Sequence, residues 1–455
     1  MTAKKQPIES VDKPAAAAGP PSIAETIAGY RETEAFRRVI SAVVDDHVSL
    51  FLTGDAGTGK STLLRRLIEE SRARGRRVAV LAPTGCAAVN VGGQTIHSFF
   101  GIPPRFVTPQ ETITSRNRQM LRDLDTLIID EVSMVRSDVM AAVDRVLRSA
   151  RREFGTPFGA LQVVLVGDLA QLPPVVRKEE AAFFGVEYPG PYFFQTGAFP
   201  REHFSLVELC EPFRHQDDRF REILASIRSN SVTPEDLSDL NQRVDDRNDL
   251  PFRNSTVTLT GKNNAANDIN AMMLDQVPGP SFKFEAVVEG TFPDTFYPVD
   301  DLLLLKPGAK IMMARNDVAR RWVNGTLGRV AHVELERVQV DIDGLLHLVE
   351  PIQWDNIRYQ YDPETRKLTH DVVGTFTQLP IRLAWAMTVH KSQGQTLDRA
   401  HFEMRHRAFA HGQTYVALSR CRTLGGLTLA RPLRQSDIIV DPAAIGYRDY
   451  LQPLD

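Results

Sequence analysis

The chain has 455 residues, enough for two to four compact units at about 100–200 residues each. Its 42% hydrophobic and 24% charged residues give an ordinary globular composition, and a formal charge of −3 excludes a global basic field while leaving room for a local basic lining. Cys86, Cys210 and Cys421 stand apart, against a disulfide framework or zinc site, and no apolar run reaches the ~18 residues of a membrane span, so we expect a soluble protein in a reducing, cytoplasmic setting.

Residues 1–29 include Pro14-Ala15-Ala16-Ala17-Ala18-Gly19-Pro20-Pro21 and no signal-peptide core, and are expected to form a flexible tail. Helical periodicity covers Glu32 to Val44. An apolar strand, Val48 to Thr53, then runs into Gly54-Asp55-Ala56-Gly57-Thr58-Gly59-Lys60-Ser61, and a helical pattern continues from Ser61 to Ile68. Strand, glycine loop and helix in this order form a polyphosphate cradle. Backbone N–H groups of Gly57, Thr58 and Gly59 curl around the phosphates, Lys60 adds a cation, and the helix that opens with Ser61 and Thr62 turns its positive end toward them. Ser61 is left to hold magnesium.

Further apolar strands end in polar signatures: Val78 to Ala82 in Pro83-Thr84-Gly85, Leu127-Ile128-Ile129 in Asp130-Glu131, and Gln162 to Val166 in Gly167-Asp168. In an open parallel sheet the carboxyl edge binds the ligand, so these ends should converge on the cradle. Asp130 can share the magnesium, Glu131 can orient the attacking water, and Gln171 can sense the terminal phosphate.

Between these strands, His97, Phe99 and Phe100 follow a Gly92-Gly93 turn and offer a surface on which bases could stack, although a Phe pair more commonly lies in a core. Residues 99–121 lack a core pattern and predict a small protruding insertion. Ser137 to Arg152 predicts an amphipathic helix capped by Ser137, with Val139, Val143, Val146 and Leu147 facing inward.

The second half repeats the α/β pattern without a phosphate loop. Strands are expected at Leu206 to Leu209, Thr256 to Thr260 and Ile381 to Met387, with helices marked by Phe220, Ile223, Leu224 and Ile227 and by Tyr415 to Arg422. Arg214 and Arg420 lie beside polar turns, where a guanidinium fork can reach phosphate oxygens from a second domain. Inserted in this half is period-two alternation, with Val338, Val340 and Ile342 set against Gln339, Asp341 and Asp343, and with turn dipeptides Asn324-Gly325 and Asp343-Gly344. It predicts a small antiparallel β unit.

Taken together, the motifs resemble the Pif-type (petite integration frequency) group of superfamily one B DNA helicases, with RecD-like enzymes as relatives. The residues that carry the resemblance are Gly54 to Ser61, Ala82 to Ala88, His97 to Phe100, Asp130 to Met134, Gly167 to Pro174, Phe213-Arg214, Val389 to Gly394 and Tyr415 to Arg420, in the family's order over about residues 31–430. The resemblance implies an α/β fold of two RecA-like parallel-sheet domains, one formed by 30–98 and 122–200 and the other by 201–285 and 377–455. It also implies a wedge insertion at 99–121 and an SH3-like β-barrel insertion at 286–376. It further implies ATP and magnesium in the cleft, and a monomer moving 5′ to 3′ on single-stranded DNA or on tailed and forked duplex. By matching motifs, Arg214 and Arg420 are arginine fingers, Gly394 lies by the nucleotide, and Thr84, Gly85, His97, Phe99, Thr388, His390 and Lys391 contact DNA. One departure stands out: Arg37 occupies the place of the family's adenine-reading glutamine, which predicts relaxed nucleotide preference. Three alternatives remain open on the residues alone: a phosphate-loop ATPase switching or loading protein partners, a translocase on RNA, and a module that only binds single strands.

Overall fold

The structure, a computed structural model, describes residues 34–454 apart from 56–57, 116, 197–198, 210–216, 248, 335, 363, 366, 404–409 and 448–450. The tail expected at 1–29 lies outside the described residues.

The larger sheet is parallel throughout. Its strands are β1 (Leu50–Gly54), β2 (Val78–Ala82), β3 (Gln94–Thr95), β4 (Thr126–Ile129), β5 (Gln162–Val166), β6 (Ser205–Leu209) and the short C-terminal strand Gln452–Pro453. In space they run Gln452–Pro453, β6, β1, β5, β4, β2, β3. Each of β1, β2, β4 and β5 is buried along its whole length, the outcome expected when helices cover both faces of parallel strands. Successive side chains alternate between those faces. Leu50 and Leu52 pack with Val39, Val43, Leu63 and Leu67 of the helices Glu34–Val44 and Lys60–Ala73, while Phe51 packs on the opposite side with Phe99, Val143 and Leu147.

Two segments join this sheet against expectation. Strand β6 is expected in the second α/β unit from its position in the chain, yet it pairs parallel with β1 from Leu50–Ser205 to Gly54–Leu209. The chain's last strand pairs with β6, and Tyr447 is buried against Phe51, Phe193 and Phe194, so the carboxyl end returns to the first lobe rather than staying in the second.

The second lobe holds a four-stranded parallel sheet ordered Ala386–Thr388, β7 (Val257–Thr260), Ala400–Glu403, Leu427–Leu429. The expected single strand Ile381 to Met387 is divided. Ile381–Leu383 pairs antiparallel with Lys310–Met313 of the β insertion, the chain crosses at Ala384-Trp385, and Ala386–Thr388 joins β7.

The β insertion contains a five-stranded antiparallel sheet in which Val338, Val340 and Ile342 point inward as their alternation predicts. Asp343 and Gly344 both adopt positive φ (52° and 82°) and turn this strand into Leu345–Val349. A long hairpin, Ile352–Asp362 with Lys367–Gln378, reaches back to the first lobe. There Tyr359 accepts a hydrogen bond from Val80 N at 3.1 Å, filling a position that the two-residue β3 is too short to pair.

The segment 99–121 is anchored more deeply than its composition predicts. Ile102, Phe106, Val107, Met120 and Leu121 are buried, and Val107 N donates to Asp138 at 2.9 Å, so only the stretch around 108–114 projects. Helix Ser137–Arg151 buries the four expected residues, but Arg136 is its N-cap; the Ser137 hydroxyl instead donates to Gly190 O at 2.5 Å.

Candidate active site

The carboxyl edge of the larger sheet gathers the polar ends of β1, β4, β5 and β6. At the end of β1, Gly54 has φ +148°, and a Cβ there would press on Leu209 O and Thr58 Oγ1, so the turn requires glycine. Thr58 is buried and closes the loop by donating Oγ1 to Asp55 O at 2.9 Å. Gly59, at φ 88°, caps helix Lys60–Ala73, and Ser61 and Thr62 are exposed on its first turn. Lys60 donates Nζ to Gly54 O at 2.6 Å and to Asp55 O at 2.9 Å, curled over the loop it would share with a phosphate. Burial holds its ammonium below the usual lysine range, partly offset by Asp168 and Glu131. Gly57 lies outside the described residues.

Asp130 and Glu131 follow β4. Glu131 takes a left-handed backbone, φ 50°, which costs roughly 1–2 kcal/mol for a residue with a Cβ and marks a turn imposed by its surroundings. Burial pushes the Asp130 carboxyl up to about 6, opposed by the Glu131 N–H and Lys60. Burial and then the charge of Asp130 push Glu131 up to about 7. Two adjoining carboxylates that resist ionising together suit a divalent cation, and Ser61 is the exposed hydroxyl at the facing helix start. Among the described residues no group of three His, Cys, Asp or Glu is placed to hold a metal ion.

Asp168 follows β5. Burial alone would raise its carboxyl, but Arg228 and Lys60 hold it below the usual range. Gln171 is buried, donates Nε2 to Asp168 at 3.1 Å, and accepts from Gln393 Nε2 at 3.3 Å. That last bond crosses from one lobe to the other.

The second lobe brings Arg420 to the same place. It follows helix Gln413–Leu418, is 1% exposed, and donates to Val416 O at 2.9 Å, Ser419 Oγ at 2.9 Å and Ser392 O at 3.4 Å. Burial lowers its guanidinium to about 10, and the charges of Tyr415, Glu131 and Asp168 oppose that. Gly394, exposed at φ 76°, ends the adjoining turn. Arg214 lies outside the described residues. Sequence reasoning passed over Arg228, whose guanidinium lies 2.8 Å from Asp55 and 2.9 Å from Glu208. No motif surrounds it, and the only hint was an acid, Asp55, inside a loop built for anions.

The expected DNA contacts divide. Thr84 is exposed and caps helix Gly85–Val91, and with His97, Arg136 and Arg177 it lines a cavity of about 260 Å³. His390 and Lys391 are exposed on the second lobe. Phe99 is not a stacking surface. It is 1% exposed, edge-on to Phe100 and Tyr359, with centroids 5.0 and 5.6 Å away. Thr388 is 3% exposed and its hydroxyl accepts from Lys391 N, and Gly85 is buried beneath the Phe296 ring, so neither is open to a ligand in this structure. Arg37 is exposed on the first helix, next to buried Phe36.

Known proteins resemble this chain in sequence and in fold. The family model described as PIF1-like helicase matches residues 30–184. The ATP-dependent DNA helicase PIF1 of Homo sapiens is 34% identical over 390 residues, 83% of this chain. The chain spans 58% of that human protein's length. The ATP-dependent DNA helicase Pif1 of Bdellovibrio bacteriovorus is 32% identical, with 88% of both chains covered. Among solved structures, Bacteroides sp Pif1 in complex with ADP-AlF4 is 36% identical over 92% of this chain and 96% of that one, with a TM-score of 0.84; Bacteroides Pif1 bound to ssDNA, at the same identity and coverage, gives 0.63.

Proposed function

Because this chain belongs to the PIF1-like helicases, we propose that it is an ATP-dependent DNA helicase that moves 5′ to 3′ on single-stranded DNA and opens tailed or forked duplex. The observation that carries the proposal is the meeting of Lys60, Asp130 and Glu131 from one lobe with Arg420 from the other.

In this reading the backbone of Gly57, Thr58 and Gly59 and the Lys60 ammonium hold the β and γ phosphates, with Thr62 and Gly394 at the margins of the nucleotide. Ser61 and Asp130 would hold magnesium, which would neutralise phosphate oxygens when bound. Glu131 accepts a proton from the attacking water, whose oxygen bonds to the γ phosphorus as the bond to the β-phosphate oxygen breaks, releasing ADP and phosphate. Arg420 and Arg214 meet the charge that builds on the transferring group. Gln171, tied to Asp168 on its own lobe and to Gln393 on the other, passes the state of the phosphates across the cleft.

Each closing and opening shifts the grip on DNA between the lobes, through Thr84 and His97 on one and His390 and Lys391 on the other. The projecting part of 99–121 serves as the wedge, and the 286–376 module lies over the strand. One chain is the working unit, with DNA inside the cell. Contacts to phosphates and stacked bases give weak sequence preference and an affinity that falls with salt.

The deciding experiment is strand displacement on 5′-tailed and 3′-tailed DNA and RNA duplexes. Opening of the 5′-tailed DNA alone is expected. Hydrolysis that single-stranded DNA does not stimulate would favour an ATPase switch acting on proteins.

A further inference from the structure

Helix Asp218–Arg228 buries Phe220, Ile223, Leu224 and Ile227 in the core beneath β7, so its backbone belongs to the second lobe. The guanidinium at its last residue lies in the first. Arg228 Nη1 is 2.8 Å from Asp55 Oδ1 and 2.9 Å from Glu208 Oε1, and Nη2 is 3.4 Å from Asp168 Oδ1. Its side chain is 11% exposed, and its Nε has no hydrogen-bond partner among the described residues.

The three carboxylates come from the phosphate loop and from the ends of β5 and β6, around the place where Lys60 would meet a polyphosphate. Asp55 is 44% exposed, so an arriving triphosphate would meet its charge directly. Like charges at such range repel, and a guanidinium between them gains more from phosphate oxygens, which present several acceptors to its fork.

We propose that Arg228 is a nucleotide-responsive arginine: Asp55 holds it beside the loop, and it passes to the phosphates when they arrive. The helix it ends then carries the occupancy of the loop into the second lobe. Asp55 acts as a placeholder that competes with the nucleotide for the same cation. This inference rests on the helicase reading given above.

The test uses the full chain as wild type, Lys60→Ala, Asp55→Asn, Arg228→Ala and the double variant Asp55→Asn/Arg228→Ala. Four quantities are read: single-strand-stimulated kcat, KM for ATP, the affinity for a fluorescent ADP analogue, and Tm without nucleotide. Removing a competing charge should tighten analogue binding by roughly 5-fold or more in Asp55→Asn. Removing an arginine that touches transferring phosphate should lower kcat in Arg228→Ala by at least ~30-fold. The double variant should recover the Tm lost in Arg228→Ala, because the acid no longer needs a partner, and should keep the low kcat. Recovery of kcat together with Tm would reduce Arg228 to a structural ion pair and overturn the proposal. So would unchanged kcat in Arg228→Ala or unchanged affinity in Asp55→Asn. Stimulated hydrolysis in wild type and its loss in Lys60→Ala test the helicase reading separately.

Discussion

The two lobes share a plan, parallel strands covered by helices, and differ in the charge they bring to the gap between them. The first lobe presents Asp55, Asp130, Glu131, Asp168 and Glu208 with a single lysine, Lys60, among them. Among its described residues the second carries no such loop and sends over the guanidiniums of Arg228 and Arg420. The acid-rich pocket of one lobe thus faces cations supplied by the other, and ion pairs tie the two together. The same sheet architecture thus serves as a binding lobe or as a completing lobe according to what its loops carry.

The comparison breaks most severely at Lys60 and Glu131. Lys60→Ala or Glu131→Gln should lower DNA-stimulated hydrolysis by ~10³-fold or more, while anisotropy titrations with labelled single strands show DNA binding retained. Residual turnover near wild type in either variant would remove the first lobe as the seat of the phosphates.

Next in size is Arg420. Alanine would leave a void in a fully buried site and confuse folding with chemistry, so Arg420→Lys is the sharper probe. It keeps the charge and loses the planar fork, and kcat should fall by ~10²-fold or more with KM for ATP changed only a few-fold. An equal loss through KM would make Arg420 a binding residue rather than a group that meets developing charge.

Phe99 separates fold from function. Packed among Phe100 and Tyr359, Phe99→Ala should cost about 3–5 kcal/mol of stability, seen in chemical denaturation, because a cavity opens where the hairpin of the β insertion meets the first lobe. The DNA affinity of the folded protein and its salt dependence should be unchanged. A loss of ~1–3 kcal/mol in DNA binding with stability intact would restore the stacking role.

What the sequence discloses is whatever its neighbours along the chain decide. The apolar runs of β1, β2, β4 and β5, the face of Phe220, Ile223, Leu224 and Ile227, and the alternation of Val338, Val340 and Ile342 each declare their element because burial follows local period. Pairing partners are not local. Ser205–Leu209 holds nothing that says it will add to β1, and Ile381 to Met387 reads as one strand although its halves join different sheets. Phe99 is covered by Tyr359, far along the chain, so its burial could not be read beside it. The same limit hid Arg228, which gains its meaning from three carboxylates on three other segments.

The smallest effect is a dependence on pH, and it measures the acid excess of the first lobe directly. Glu131 rises from 4.5 to about 7 and Asp130 from 3.8 to about 6, burial being the leading cause for both. An acid with a higher pKa folded than unfolded keeps a proton in the native state that the unfolded chain has already lost, so stability falls as pH rises from about 4 through 7. The loss is readable as a decrease in Tm between pH 5 and pH 8 without nucleotide or magnesium. Glu131→Gln should flatten that slope, and magnesium with a non-hydrolysable ATP analogue should flatten it in the wild type by supplying the missing positive charge. A wild-type Tm indifferent to pH across this window would mean that Lys60 and Arg420 already neutralise the pair, and the division of charge between the lobes would be complete without a ligand.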